Sequence, residues 1–131
     1  MSNSIKYSYG GKYKWRLDEI NDYHVGVPID PPFLSEYLSL KDGVLTCFAG
    51  YEWDGASGPA IDTANFMRGS LFHDALYQLM REGVISWEYR KKADKVLREI
   101  CLADGMSKIR AWWVYMGVRI GAGHNKLRKT R

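Results

Sequence analysis

The spacing of apolar residues changes about halfway along the chain. Up to about residue 60 the apolar positions come in short alternating runs divided by turn residues, the period of strands. Residues 13–17 alternate in this way, and residues 22–27 form a second short candidate. Pro28, Pro31 and Pro32 then force a loop. Residues 36–40 and 44–49 flank Lys41-Asp42-Gly43, and Asp-Gly supplies the positive φ that a tight hairpin needs. Residues 50–59 read as a glycine-rich loop carrying Trp53, Asp54 and Ser57.

Beyond residue 60 the apolar spacing lengthens to three and four, and three helices are predicted. Asp62 or Thr63 caps the first, which runs to about Glu82 and stops at Gly83. Gly69-Ser70 is a weak point, so its ordered part is expected to begin near Ser70. Ser86 caps the second, which runs from Trp87 to about Ala103 and stops near Gly105. Ser107 caps the third, which reaches about Gly121. Ala93, Val96, Leu97, Ile100 and Cys101 give the second helix a buried stripe. Ile109, Trp112, Trp113, Met116 and Ile120 do the same for the third, which places Trp112 and Trp113 in the core rather than at a membrane.

The pattern as a whole predicts an α+β protein, with a small N-terminal antiparallel β-sheet and hairpins followed by a three-helix half. The 131 residues read as a single domain with flexible ends at 1–12 and 124–131.

Composition adds few constraints. Apolar residues make up 46% and charged residues 26%, which is ordinary for a globular chain and argues against disorder. The net charge is +4, from 19 basic and 15 acidic residues. Lys126, Arg128, Lys129 and Arg131 carry all of the excess, since without them 15 basic residues face 15 acidic ones. Such a tail either touches an anionic surface or nucleic acid, or is a solvated end. Cys47 and Cys101 make no CxxC spacing and no disulfide framework, which fits a reducing compartment. The N-terminus lacks the apolar run of a signal peptide, and no segment approaches membrane-spanning length. Host cytoplasm or a virion is the expected location.

The candidate chemistry is His73-Asp74-x-x-Tyr77. His73 and Tyr77 are i and i+4, so they stack on one edge of the apolar arc of their helix, with Asp74 further toward solvent. A histidine there, beside a carboxylate and a phenol, is a candidate general base. Taken alone, a His-Asp pair on a helix is more often capping and surface polarity. Asp94 lies at the border of the stripe on the next helix, and the short connection makes the two helices antiparallel neighbours. Asp94 then either approaches His73 and Tyr77 or pairs with Arg90, Lys91 or Arg98 on its own helix. The glycine-rich loop either turns carbonyls toward a hard cation such as Ca²⁺, with Asp74 as carboxylate, or closes the sheet onto the helices. No nucleophile elbow, zinc spacing, P-loop, EF-hand or dinucleotide fingerprint is present.

Trp15-Arg16-Leu17, Trp53-Asp54-Gly55-Ala56-Ser57 with Pro59, His73-Asp74-x-Leu76-Tyr77, Ala93-Asp94 and Gly117-Val118-Arg119 together resemble an uncharacterised phage and prophage family, a domain of unknown function. Gly58 stands where that family usually has a branched apolar residue. The resemblance implies a phage or prophage origin and carries no activity.

Residues 50–104 more distantly resemble phospholipase A2 in its small bacterial and fungal forms, though without the characteristic disulfides. That resemblance implies a helix pair of the same kind and a calcium-assisted ester hydrolase acting on phospholipid or another ester. It implies His73 as the water-activating base, Asp94 as the residue orienting it, and Tyr77 as a hydrogen-bond partner. It implies a calcium site made by Asp74 with Trp53, Asp54 and Gly55. The alternative is a non-catalytic phage accessory or virion protein in which the same residues form a structural polar network.

Overall fold

The computed structural model describes residues 4–55 and 62–127, with side chains placed to residue 121. It is α+β. Among the described residues, seven short strands occupy the N-terminal half and three helices the C-terminal half.

The strands are β1 (Tyr7–Tyr9), β2 (Trp15–Leu17), β3 (Asn21–His24), β4 (Phe33–Leu34), β5 (Leu38–Lys41), β6 (Val44–Cys47) and β7 (Glu52–Trp53). They form two antiparallel sheets, ordered β1-β2-β7 and β3-β6-β5-β4. The predicted hairpin is β5-β6. Asp42 (φ 52°) and Gly43 (φ 78°) make its two-residue turn, in the left-handed geometry that matches the twist of paired strands. Leu38, Leu40, Leu45 and Cys47 alternate inward and are buried.

Two expectations for this half are corrected. Tyr7–Tyr9 is not part of a loose end but a strand, because β2 supplies its partners at Leu17, Arg16 and Trp15. Trp53 is not in the loop. It sits in β7 opposite Trp15, is fully buried, and donates its indole N–H to Ser70 Oγ at 3.0 Å. Ser57, Gly58 and Pro59 of that loop lie outside the described residues.

The helices are α1 (Ala64–Arg81), α2 (Arg90–Ala103) and α3 (Lys108–Leu127), with a single 3₁₀ turn at Trp87–Tyr89 before α2. Gly83 (φ 77°) and Gly105 (φ 98°) follow the first two as left-handed stops. Ser86 caps the 3₁₀ turn by accepting the Glu88 N–H, and Ser107 accepts from Arg110 N–H at the start of α3. Asp62 does not cap α1. Its carboxylate, almost fully buried, accepts from Lys14 Nζ at 2.7 Å and Trp15 Nε1 at 3.0 Å, and Thr63 takes the cap position without a side-chain capping bond.

Helix α1 is buried on most of its circumference, because strands cover one side and α2 the other. It does not break at Gly69-Ser70. A Cβ at Gly69 would meet Cys101 Sγ and Leu97 Cδ1 at 3.0 Å, so this glycine lets α2 lie close rather than ending the helix. Arg68 locks the same crossing by a two-pronged ion pair with Asp104, at 3.0 and 2.8 Å, with both side chains nearly buried. On α2 the predicted stripe is buried as expected.

Helix α3 departs from expectation in two ways. It continues past Gly121 to Leu127, so residues 124–127 are helical. Its predicted stripe faces outward: Ile109, Trp112, Trp113 and Ile120 are exposed. The face that packs is the opposite one, where Ala111, Val114 and Val118 meet Phe66, Leu97, Cys101 and Met106. Small and branched residues let α3 approach α2 closely, and bulky tryptophans on that side would hold it away.

Candidate active site

Helices α1, α2 and α3 send four polar side chains to a single point, two from α1 and one each from α2 and α3. On α1, His73 and Tyr77 lie one turn apart with ring centroids 4.4 Å apart. On α2, Asp94 follows Ala93 in the buried stripe and is fully buried. Its two oxygens are divided. Oδ1 accepts from His73 Nε2 at 2.7 Å and from Tyr77 OH at 2.8 Å. Oδ2 accepts from Arg119 NH1 on α3 at 2.8 Å. A buried carboxylate is tolerable only when paired and hydrogen-bonded, and these three donors meet that need.

The arrangement determines the tautomer of the histidine. A carboxylate can only accept, so Nε2–H is the donor to Asp94, and in the neutral imidazole the lone pair is then on Nδ1. Among the described residues Nδ1 has no hydrogen-bond partner. The His73 side chain keeps 14% of its surface exposed, whereas Asp94 keeps none. The phenol of Tyr77 is pushed well above its ordinary value, first by burial and then by the neighbouring Asp94 charge. It therefore stays a neutral donor. Trp87 closes over its ring edge-on at 5.9 Å.

A cleft among the described residues lies near this point. It has a volume of about 390 Å³ and is lined by Trp87, Glu88, Arg90, Lys91 and Arg119. Arg119 thus faces the cleft and bonds the carboxylate that His73 bonds. A second cleft, lined among others by Ser4, Thr63, Asn65 and Asp104, is separate. Among its described lining residues, neither cleft includes His73.

The structure brings His73, Tyr77 and Asp94 together. The residues expected around a cation are gathered less fully. Asp74 does meet the loop, but through the backbone N–H of Asp54, which donates to Asp74 Oδ2 at 3.4 Å. An N–H faces this carboxylate there, not the carbonyl oxygen a hard cation requires. Trp53 is taken up by the core. Gly55 holds φ at 73°, and a Cβ on it would meet Asp62 Oδ1 at 2.8 Å and Trp15 Nε1 at 3.0 Å, so it serves the packing of β2 against the start of α1. Among the described residues no group of three or more His, Cys, Asp or Glu side chains is placed to hold a metal.

Arg119 is the residue that sequence reasoning places among the landmarks without giving it a role. A signal exists: α3 contains no acid, so its arginines must find partners on other elements. Arg110 does the same, donating to Thr63 Oγ1 at 2.9 Å. The Asp94 alternatives on its own helix are not used; the carboxylate is taken up by the other two helices.

No curated protein and no solved structure matches the chain. A family model does match, over residues 34–118, a span that holds β5 to β7, His73, Tyr77 and Asp94 and ends one residue before Arg119. The chain belongs to DUF1353, a family of proteins of unknown function.

Proposed function

We propose that this protein is a hydrolase of the phospholipase A2 type, of phage or prophage origin, with His73 as general base. The observation that carries the reading is the 2.7 Å bond from His73 Nε2–H to Asp94, which leaves Nδ1 to accept a proton. In the reaction, Nδ1 takes a proton from water as the water oxygen attacks an ester carbonyl. The proton then passes to the leaving alcohol as the ester C–O bond breaks. Asp94 stabilises the imidazolium formed between these events, and Tyr77 and Arg119 hold Asp94 in place. Asp74 and the backbone carbonyls of residues 53–55 are the groups that would hold calcium. Bound there, it would supply positive charge to a substrate phosphate and to the developing oxyanion.

The test is hydrolysis of phospholipid vesicles, with and without Ca²⁺, by wild type and His73→Ala. Loss of a general base lowers the rate by about 10²–10⁴-fold. Equal rates for the two proteins reject the mechanism.

A second reading has its own observation. Asp94 is fully buried and joins all three helices through three donors, as a purely structural network would. In that case the protein is a phage accessory or virion component. His73→Ala then lowers stability, and neither protein turns over lipid.

A further inference from the structure

The outer face of α3 is apolar and exposed among the described residues. Ile109, Trp112, Trp113, Met116 and Ile120 follow spacings of three and four, so they share one side of the helix. Ile109 and Ile120 are each more than 70% exposed, Trp113 is 65% exposed and Trp112 48%. The two indoles touch edge-on at 5.3 Å. The opposite side of the helix is already packed on α2, so no internal rearrangement buries this one without losing the other. A contiguous apolar face of this kind marks an interaction surface.

Charge indicates what covers it. From Gly105 to the last residue there is no Asp or Glu, while Lys and Arg occur seven times. Arg110 and Arg119 hold the helix to Thr63 and Asp94. Lys108 is exposed at the helix start, and the other four cations end the sequence. A second copy of the chain, docked face to face, would set two acid-free basic helices against each other. An anionic bilayer meets both features at once: its headgroups attract the cations, and its interface takes tryptophans beside aliphatic side chains. No helix among the described residues is long and apolar enough to cross a membrane, so the fitting mode is one in which the helix lies on it.

We propose that the outer face of α3 docks the protein on anionic lipid membranes, with the helix in the plane of the surface and Trp112 and Trp113 at headgroup depth. This docking needs no turnover and stands whether or not the hydrolase reading does. The experiment is sedimentation of the full chain with phosphatidylcholine vesicles and with phosphatidylcholine–phosphatidylglycerol vesicles, in EDTA to keep hydrolysis out of the readout. Binding about tenfold or more tighter to the anionic vesicles, weakened by salt, is expected. A Trp112→Ser/Trp113→Ser double variant, which leaves the α2-facing side untouched, is expected to lose that binding while melting like wild type. An Ile109→Ser/Ile120→Ser variant is expected to do the same. The proposal is overturned if anionic vesicles are not bound, or if both variants bind as wild type does. It is also overturned if the tryptophans instead hold a dimer that the variant splits, or if a DNA duplex is captured in preference to the vesicles.

Discussion

Arg119 donates from NH1 to Oδ2 of Asp94 at 2.8 Å, on the carboxylate oxygen that His73 and Tyr77 leave open. This one bond ties α3 to the polar pair of α1 and α2. It also means that no oxygen of Asp94 is left without a donor. Removing Asp94 as Asp94→Ala leaves three donors around an empty buried point, and a loss of about 3–5 kcal/mol is expected in urea denaturation. Arg119→Met removes one donor and keeps its aliphatic bulk, with an expected loss of about 1–3 kcal/mol. An Arg119→Met protein as stable as wild type would show that the bond is not a structural tie.

Gly69→Ala sets two local effects against each other. Alanine improves helix propensity by about 1 kcal/mol. Its Cβ also meets Leu97 O at 3.1 Å, a backbone atom that cannot swing away, along with Leu97 Cδ1 and Cys101 Sγ. Overpacking costs about 1–3 kcal/mol, so net destabilisation is expected, with a lower Tm. A raised Tm would mean that α1 and α2 separate without cost.

The two thiols are expected to resist modification in the folded protein. Both cysteines are buried and unpaired. Burial pushes Cys101 up to about 12 and Cys47 higher still, with nearby carboxylates adding to the effect. The thiolate is the reactive form, so alkylation near neutral pH is expected only after denaturant is added. Rapid labelling of native protein would place one thiol at the surface.

Acid should release the β1-β2 turn. The Glu52 carboxylate accepts the backbone N–H groups of Tyr13 and Gly11 at 3.0 and 3.1 Å, which holds it below its ordinary value. A group lowered on folding contributes stability above its unfolded pKa and loses it as pH falls through the folded one. Glu52→Gln is therefore expected to lower Tm near neutral pH and to change it little once the carboxylate of wild type is protonated. An equal difference in Tm at both ends of the titration would remove the charge from the account.

Much of this protein follows from local pattern alone. Alternation and Asp42-Gly43 determine the β5-β6 hairpin, because strand period and turn geometry are properties of a few adjacent residues. Glycines and serines mark the helix ends for the same reason. The i, i+4 stacking of His73 on Tyr77 is helix geometry, and the short antiparallel connection allows the approach of Asp94 without choosing it over a pair on its own helix. Other features depended on partners distant in sequence. Tyr7–Tyr9 becomes a strand only because β2 lies beside it, and Gly69 becomes a close crossing only because α2 lies over it. The largest reversal is α3. Its periodicity shows two apolar faces, one of Ala111, Val114 and Val118 and one bearing the tryptophans. Which face turns inward is a matter of fit against α2, where small side chains allow the approach that Trp112 and Trp113 would block. Periodicity gives the phase of a helix and carries no information about the shape of the surface it meets.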